Sequence, residues 1–142
     1  MDIESLLPHR APMLLIDRLI EADDESIRVE VDVPHQGRFV RDGLMPSFVG
    51  IELMAQAVAA WAGARGQRAG RPPRVGYLLG TRRYEAHCAG FAAGATLQVQ
   101  ARCELMADNG LGMFDCTLSL AGRTLATARI SVFEPTEAES EQ

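Results

Sequence analysis

Residues 44–64 read LMPSFVGIELMAQAVAAWAGA, and the reading of the fold starts there. At the helical period Phe48, Ile51, Ala55, Val58, Ala59 and Ala62 share one face, while Val49, Leu53, Met54, Ala57, Ala60 and Trp61 cover the rest. A helix apolar nearly all round belongs in an interior rather than on a surface. Gly50, Ala55, Ala59, Ala62 and Gly63 keep it thin enough for another layer to approach its backbone. Pro46 is expected in the first helical turn, where its missing N–H is not needed. Gly63, Gly66 and Gly70, followed by Pro72 and Pro73, are expected to end the helix and open a long exposed connection over residues 63–74.

After Ser47 the polar side chains of this stretch are Glu52 and Gln56. Four residues apart, they lie one turn apart on one face. Glu52 is the sole charge between Asp42 and Arg65, so its carboxylate is expected where loss of water is costly unless a partner compensates. A buried lone acid is a candidate for chemistry. The alternative is that it pairs with an arginine of a neighbouring loop, or of a second subunit, and only fixes geometry.

Outward from the helix the pattern changes to strands. Before it, Met13–Ile16 is an apolar run predicted as a first strand, and SIRVEVDVP alternates Ile27, Val29, Val31 and Val33 with polar residues. Residues 35–43, HQGRFVRDG, form a loop into the helix. After it, Val75, Tyr77 and Leu79 alternate, then residues 97–105, 114–120 and about 123–133, with Asn109-Gly110 and Ala121-Gly122 as hairpin turns. Two strands before one long helix and about four after it predict an α+β fold, a curved antiparallel sheet wrapped around the helix. So apolar a helix needs cover on more than one side, which predicts a dimer.

At 142 residues the chain is expected to form one domain over 1–134, with an acidic, disordered tail at 135–142. No basic-then-apolar leader and no apolar run of about 18 residues is visible, so a cytoplasmic protein without a membrane span is expected. Three widely spaced cysteines, Cys88, Cys103 and Cys116, read as reduced core residues; no spacing implies a metal or an organic cofactor. A net charge of −5 argues against general nucleic-acid binding. All 14 basic residues are arginine, and six of them (Arg65, Arg68, Arg71, Arg74, Arg82 and Arg83) fall between Leu53 and Tyr84 with no acid among them. That segment is either a docking surface for an acidic partner or a solvated loop.

The opening LLPHRAPMLLIDR and the helix start LMPSFVGIELMAQ resemble the two signatures of the hotdog-fold 3-hydroxyacyl-[acyl-carrier-protein] dehydratases. Met45, Pro46, Glu52, Ala55 and Gln56 stand in place in the second, and the resemblance covers roughly residues 5–133. It implies elimination of water from a carrier-bound 3-hydroxyacyl thioester, with a helix carboxylate and a histidine sharing the proton transfers across a dimer interface. Glu52 matches the helix acid. The position of the family histidine holds Arg38, between Gly37 and Phe39, and the Pro-Gly that follows in the family is Val40-Arg41 here. Arginine does not deprotonate in proteins and is no general base.

His35, three residues away, is the substitute if the loop is re-routed; His9 and His87 are expected to be structural. Alternatively Arg38 pairs with Glu52 and keeps it ionised, as a base or a structural group. Gln56, Arg38, Phe39 and Phe48 are the expected supporting and substrate-contacting residues. The departure itself resembles dehydratase-like proteins of aryl-polyene pigment pathways, including the run GIELMAQAVAAWAG, some of which work as partners of an active paralogue. The resemblance therefore implies an acyl carrier protein as partner, docked by the arginine segment, and either a homodimer or a heterodimer. Three activities follow: a dehydratase, a catalytically deficient partner subunit of one, or an acyl thioesterase using Glu52.

Overall fold

The computed structural model describes residues 3–7, 13–37, 39–70 and 77–133, with backbone alone for 77–79. Its centre is helix α1, Val49–Arg68. Around it lie β1 (Arg18–Ala22), β2 (Ser26–Asp32), β3 (Leu44–Pro46), β4 (Tyr77–Ala86), β5 (Gly90–Ala92), β6 (Thr96–Met106), β7 (Leu111–Leu120) and β8 (Arg123–Phe133). Six of these form one sheet in the order β1-β2-β6-β7-β8-β4, and β3 pairs with β5 beside it. Every pairing is antiparallel. This is the α+β wrap of one sheet about one helix that the periodicities predict, and the hotdog fold that the resemblance implies.

The strand register shows why the sheet has an inside and an outside. Ile27, Ala101, Cys116 and Ala128 face one another across β2, β6, β7 and β8, and so do Val29, Val99, Leu118 and Ala126. All eight are buried. The alternate positions carry Arg28, Gln100, Thr117 and Thr127 in one row and Ser26, Arg102, Asp115 and Arg129 in the next. A period of two therefore sends one set to the helix and the other to water. Alanines under the helix let it sit close, and the larger side chains fill the space beside it: Trp61 meets Phe114 edge-on, centroids 5.4 Å apart at 71°. The Trp61 Nε1–H donates to the carbonyl of Asp23 at 3.0 Å, so the indole is buried without an orphaned donor.

Four details differ from the sequence-based expectations. The apolar run Met13–Ile16 is not a strand; the first strand starts at Arg18, because the backbone at Met13 and Leu15 bonds to the Gln56 side chain instead of to a neighbouring strand. Pro46 ends β3 and precedes the helix, which begins at Val49, because Met45 pairs with Phe91 of β5. Neither β3 nor β5 was foreseen, since three-residue strands are too short to show a period. Finally, Gly63 and Gly66 do not end the helix. Both are buried within it, and Gly63 leaves room for the carbonyl of Leu6, where a Cβ would collide. The hairpin turns at Asn109-Gly110 and Ala121-Gly122 stand as expected, with Gly110, Ala121 and Gly122 at positive φ. The three cysteines are free thiols, and burial pushes that of Cys116 up to about 12. His9 and the tail 135–142 lie outside the described residues.

On the outer face, Arg18 holds Asp32 with two bonds of 2.7 Å, and Thr96 Oγ1–H adds a third at 3.0 Å. The Arg18 guanidinium, then Thr96, hold the Asp32 carboxyl down at about 2. A lowered folded-state value contributes stability that is present above the usual carboxylate range and lost as pH falls through the folded value. The melting-temperature gap between wild type and Asp32→Asn should therefore be widest at neutral pH. It should narrow on acidification from about pH 4 towards 2. In the core, Phe114→Ala should cost about 3–5 kcal/mol in urea unfolding, since it empties the space against Trp61.

Candidate active site

Glu52 is the fourth residue of α1 and is half-buried. An acid in the first turn is favoured by the unpaired N–H groups and dipole of a helix N-terminus. Among the described residues no ion pair reaches it; Arg38, the alternative partner, lies outside them. What reaches it is an amide: Gln56 Nε2 donates to Glu52 Oε1 at 3.0 Å. Gln56 itself is fully buried, the one buried polar or charged side chain among the described residues. Its Nε2 also donates to the carbonyl of Met13 at 2.7 Å, and its Oε1 accepts the Leu15 N–H at 2.9 Å. The amide is thereby satisfied on both sides, as burial requires.

Phe48 lies one turn before Glu52 on the same face and is 68% exposed. Met13, beside Gln56, is 42% exposed. Two large apolar side chains that face water in the isolated chain thus belong to residues adjoining the Glu52–Gln56 pair. Such a surface suits an acyl chain or a second subunit. Phe39 is half-buried against the core. On the opposite side of the same helix end, Gly50 makes room for Tyr84, whose hydroxyl donates to the carbonyl of Ser47. Burial raises the Tyr84 phenol above its ordinary value. Tyr84 carries no signal in the sequence; it pins β4 to the start of the helix.

His35 is exposed, and its ring packs over Gly94, the residue at φ +85° before β6. Among the described residues no hydrogen bond joins it to Glu52. Arg38, Arg71 and Arg74 lie outside the described residues. The remaining arginines form two groups rather than one. Arg65 and Arg68 lie at the C-terminal end of α1, Arg65 over the Trp61 ring at 5.5 Å and Arg68 paired with Asp24 at 3.0 Å. Arg82 and Arg83 are exposed on β4 next to Tyr84, hence at the N-terminal end of the helix, where Glu52 is. Thirteen residues of helix separate Glu52 from Arg65, about 20 Å. The ladder shifts register between Arg82 and Glu85, and Arg83 takes φ +56° there, so a bulge on the edge strand sets the pair.

Among the described residues no three His, Cys, Asp or Glu side chains converge as metal ligands, and no helix is long and apolar enough to cross a membrane. What the arrangement offers is proton transfer at one oriented carboxylate next to an apolar surface.

The chain is similar to several known proteins. A chain of the dehydratase heterocomplex ApeI:P from Xenorhabdus doucetiae is 31% identical, with a TM-score of 0.90 over 100% of this chain and 96% of that one. The 3-hydroxyacyl-[acyl-carrier-protein] dehydratase FabZ of Acinetobacter baumannii is 29% identical over 135 residues, 92% of this chain and 91% of its own length. FabZ of Thermus thermophilus is 36% identical over 98 residues, 55% of this chain and 69% of its own. The family of ApeP-like proteins, described as ApeP dehydratase, matches residues 1–142. By that match over its whole length, the chain belongs to the ApeP-like dehydratase family.

Proposed function

We propose that this dehydratase acts on a 3-hydroxyacyl thioester carried by an acyl carrier protein, as the Glu52-bearing subunit of a heterodimer with a dehydratase paralogue in the cytoplasm. The observation that carries the reading is the Glu52 carboxylate, oriented by Gln56 at the exposed start of an otherwise apolar helix. The substrate class is supported by the FabZ relatives, and the partner by the likeness to a chain of a heterocomplex.

Elimination of water needs two proton transfers. A base takes the C2 proton, the C2–C3 double bond forms as the C3–O bond breaks, and an acid protonates the departing oxygen to give water. Glu52 Oε1 is engaged by the Gln56 amide, which leaves Oε2 to meet the substrate hydroxyl. The second group comes from across the dimer interface, since position 38 holds an arginine. A histidine of the paralogue would complete the site with Glu52, and the reciprocal site, facing Arg38, would lack its base. The reading gives one working site per heterodimer and leaves His35 outside the proton transfers.

Of the arginines, Arg82 and Arg83 are the better docking pair for the acidic carrier protein, because they flank the Glu52 end of the helix and the described residues offer them no ion pair. Arg65 and Arg68 are engaged within the chain.

Mass spectrometry of a 3-hydroxyacyl carrier protein incubated with the heterodimer tests the first part. Wild type should remove water, and Glu52→Gln should slow this by about 10²–10⁴-fold; a fully active Glu52→Gln assembly would refute the role. For docking, Arg82→Glu with Arg83→Glu should raise KM on the order of tenfold for the carrier-bound substrate. The same pair should leave KM for a small pantetheine thioester unchanged.

A further inference from the structure

The N-terminal segment and the Glu52 carboxylate share one face of α1. From the C-terminal end that face presents Gln67, Gly63, Ala60, Gln56 and Glu52, spaced three or four apart. The described parts of the segment, residues 3–7 and 13–15, meet that face in the opposite order. Gln67 Nε2 donates to the carbonyl of Ser5 at 3.1 Å, the carbonyl of Leu6 rests against Gly63, and Met13 and Leu15 meet Gln56. Leu6 and Leu7 are fully buried, so residues 6 and 7 are packed into the core and not merely laid on the helix.

What happens at Gln56 depends on the chemistry of a primary amide, one acceptor oxygen and two N–H donors on a rigid plane. The Leu15 N–H demands the oxygen on its side, and the Met13 carbonyl demands an N–H on its side. Turning the amide over would set N–H against N–H and oxygen against oxygen at a fully buried side chain. With the plane fixed by those two bonds, the amide nitrogen is also the atom that meets Glu52 Oε1. The backbone of the N-terminal segment thus decides that the carboxylate faces a donor rather than an acceptor.

We propose that the N-terminal segment positions the reacting carboxylate, with Gln56 as the positioning residue between them. This rests on the catalytic reading of Glu52. The segment is held at Gly63 and Gln67 as well as at Gln56, so displacing it at Gly63 acts on Glu52 from eleven residues away, about 16 Å along the helix. Gly63 touches no part of the site, and a Cβ there collides with the Leu6 backbone, which cannot swing aside as a flexible side chain would.

The test compares Gly63→Ala, Gln56→Met and Gln67→Ala in the intact heterodimer, with Ile130→Val in the sheet as a packing control. The readouts are the carboxyl 13C resonance of Glu52, assigned by its loss in Glu52→Gln, and the split between kcat and KM. Gly63→Ala and Gln56→Met should move the resonance in one direction and lower kcat on the order of tenfold with KM unchanged. Gln67→Ala, which removes only the bond to Ser5, should move it less and with the same sign, and it serves if Gly63→Ala does not fold. Ile130→Val should move neither. An unmoved Glu52 resonance in folded Gly63→Ala or Gln67→Ala overturns the proposal, whether or not the assembly turns over substrate. Full activity in Glu52→Gln removes the catalytic reading instead, and the resonance still reports whether the segment and the carboxylate are coupled.

Discussion

A helix of twenty residues with two polar side chains in its first three turns has to be covered on nearly every side, and the rest of the molecule is arranged to do so. Four strands lay their inward rows against one side. Residues 3–7 cover part of a second, with Gly63 providing the depth for Leu6. β3, which leads into the helix start, and β5, whose Phe91 lies against Gly50, close a third. The stretch that remains partly open, Phe48, Glu52 and their neighbours at the N-terminal end, is the one to which the proposed chemistry is assigned. Cover elsewhere and exposure here are two aspects of one constraint.

The same constraint explains why a glutamine is found fully buried. Apolar cover could come from any aliphatic side chain at position 56, and would be simpler, because a buried amide is costly unless all its bonds are made. Gln56 makes three, two to backbone and one to Glu52. It joins the backbone of Met13 and Leu15 to the Glu52 carboxylate through one side chain. The ladder of ion pairs on the outer face, Arg18 with Asp32 and Arg129 with Asp115, is separate from this system and belongs to the solvated side of the sheet.

Period and composition made much of this legible. The all-apolar helix, the alternation of Ile27, Val29 and Val31, and the Asn109-Gly110 turn each have a direct physical cause in the side chains concerned, and the fold follows from them. What stayed hidden was tertiary in origin. The run Met13–Ile16 has strand composition, yet its backbone is claimed by a side chain 41 to 43 residues away. Gly63 and Gly66 look like a helix end until a neighbouring carbonyl is seen to need the space. In the site, Glu52 and Gln56 were legible because four residues is one turn of helix. The division of the arginines between the two ends of that helix was not, because it depends on where β4 returns.

Trp61 is the chain's single tryptophan. It is 1% exposed, seated against Phe114 of the sheet, bonded to the Asp23 carbonyl and overlain by Arg65. Its indole therefore touches helix, sheet and the β1–β2 turn at once, and its emission is an intrinsic optical label for the junction of all three. Any event that lifts the helix from the sheet must bring water to that ring and move the emission to longer wavelength, with no dye or tag added. Changes confined to the Glu52 end, two and a half turns away along the helix, should leave the same signal silent. One fluorophore can thus separate loss of the fold from disturbance of the site.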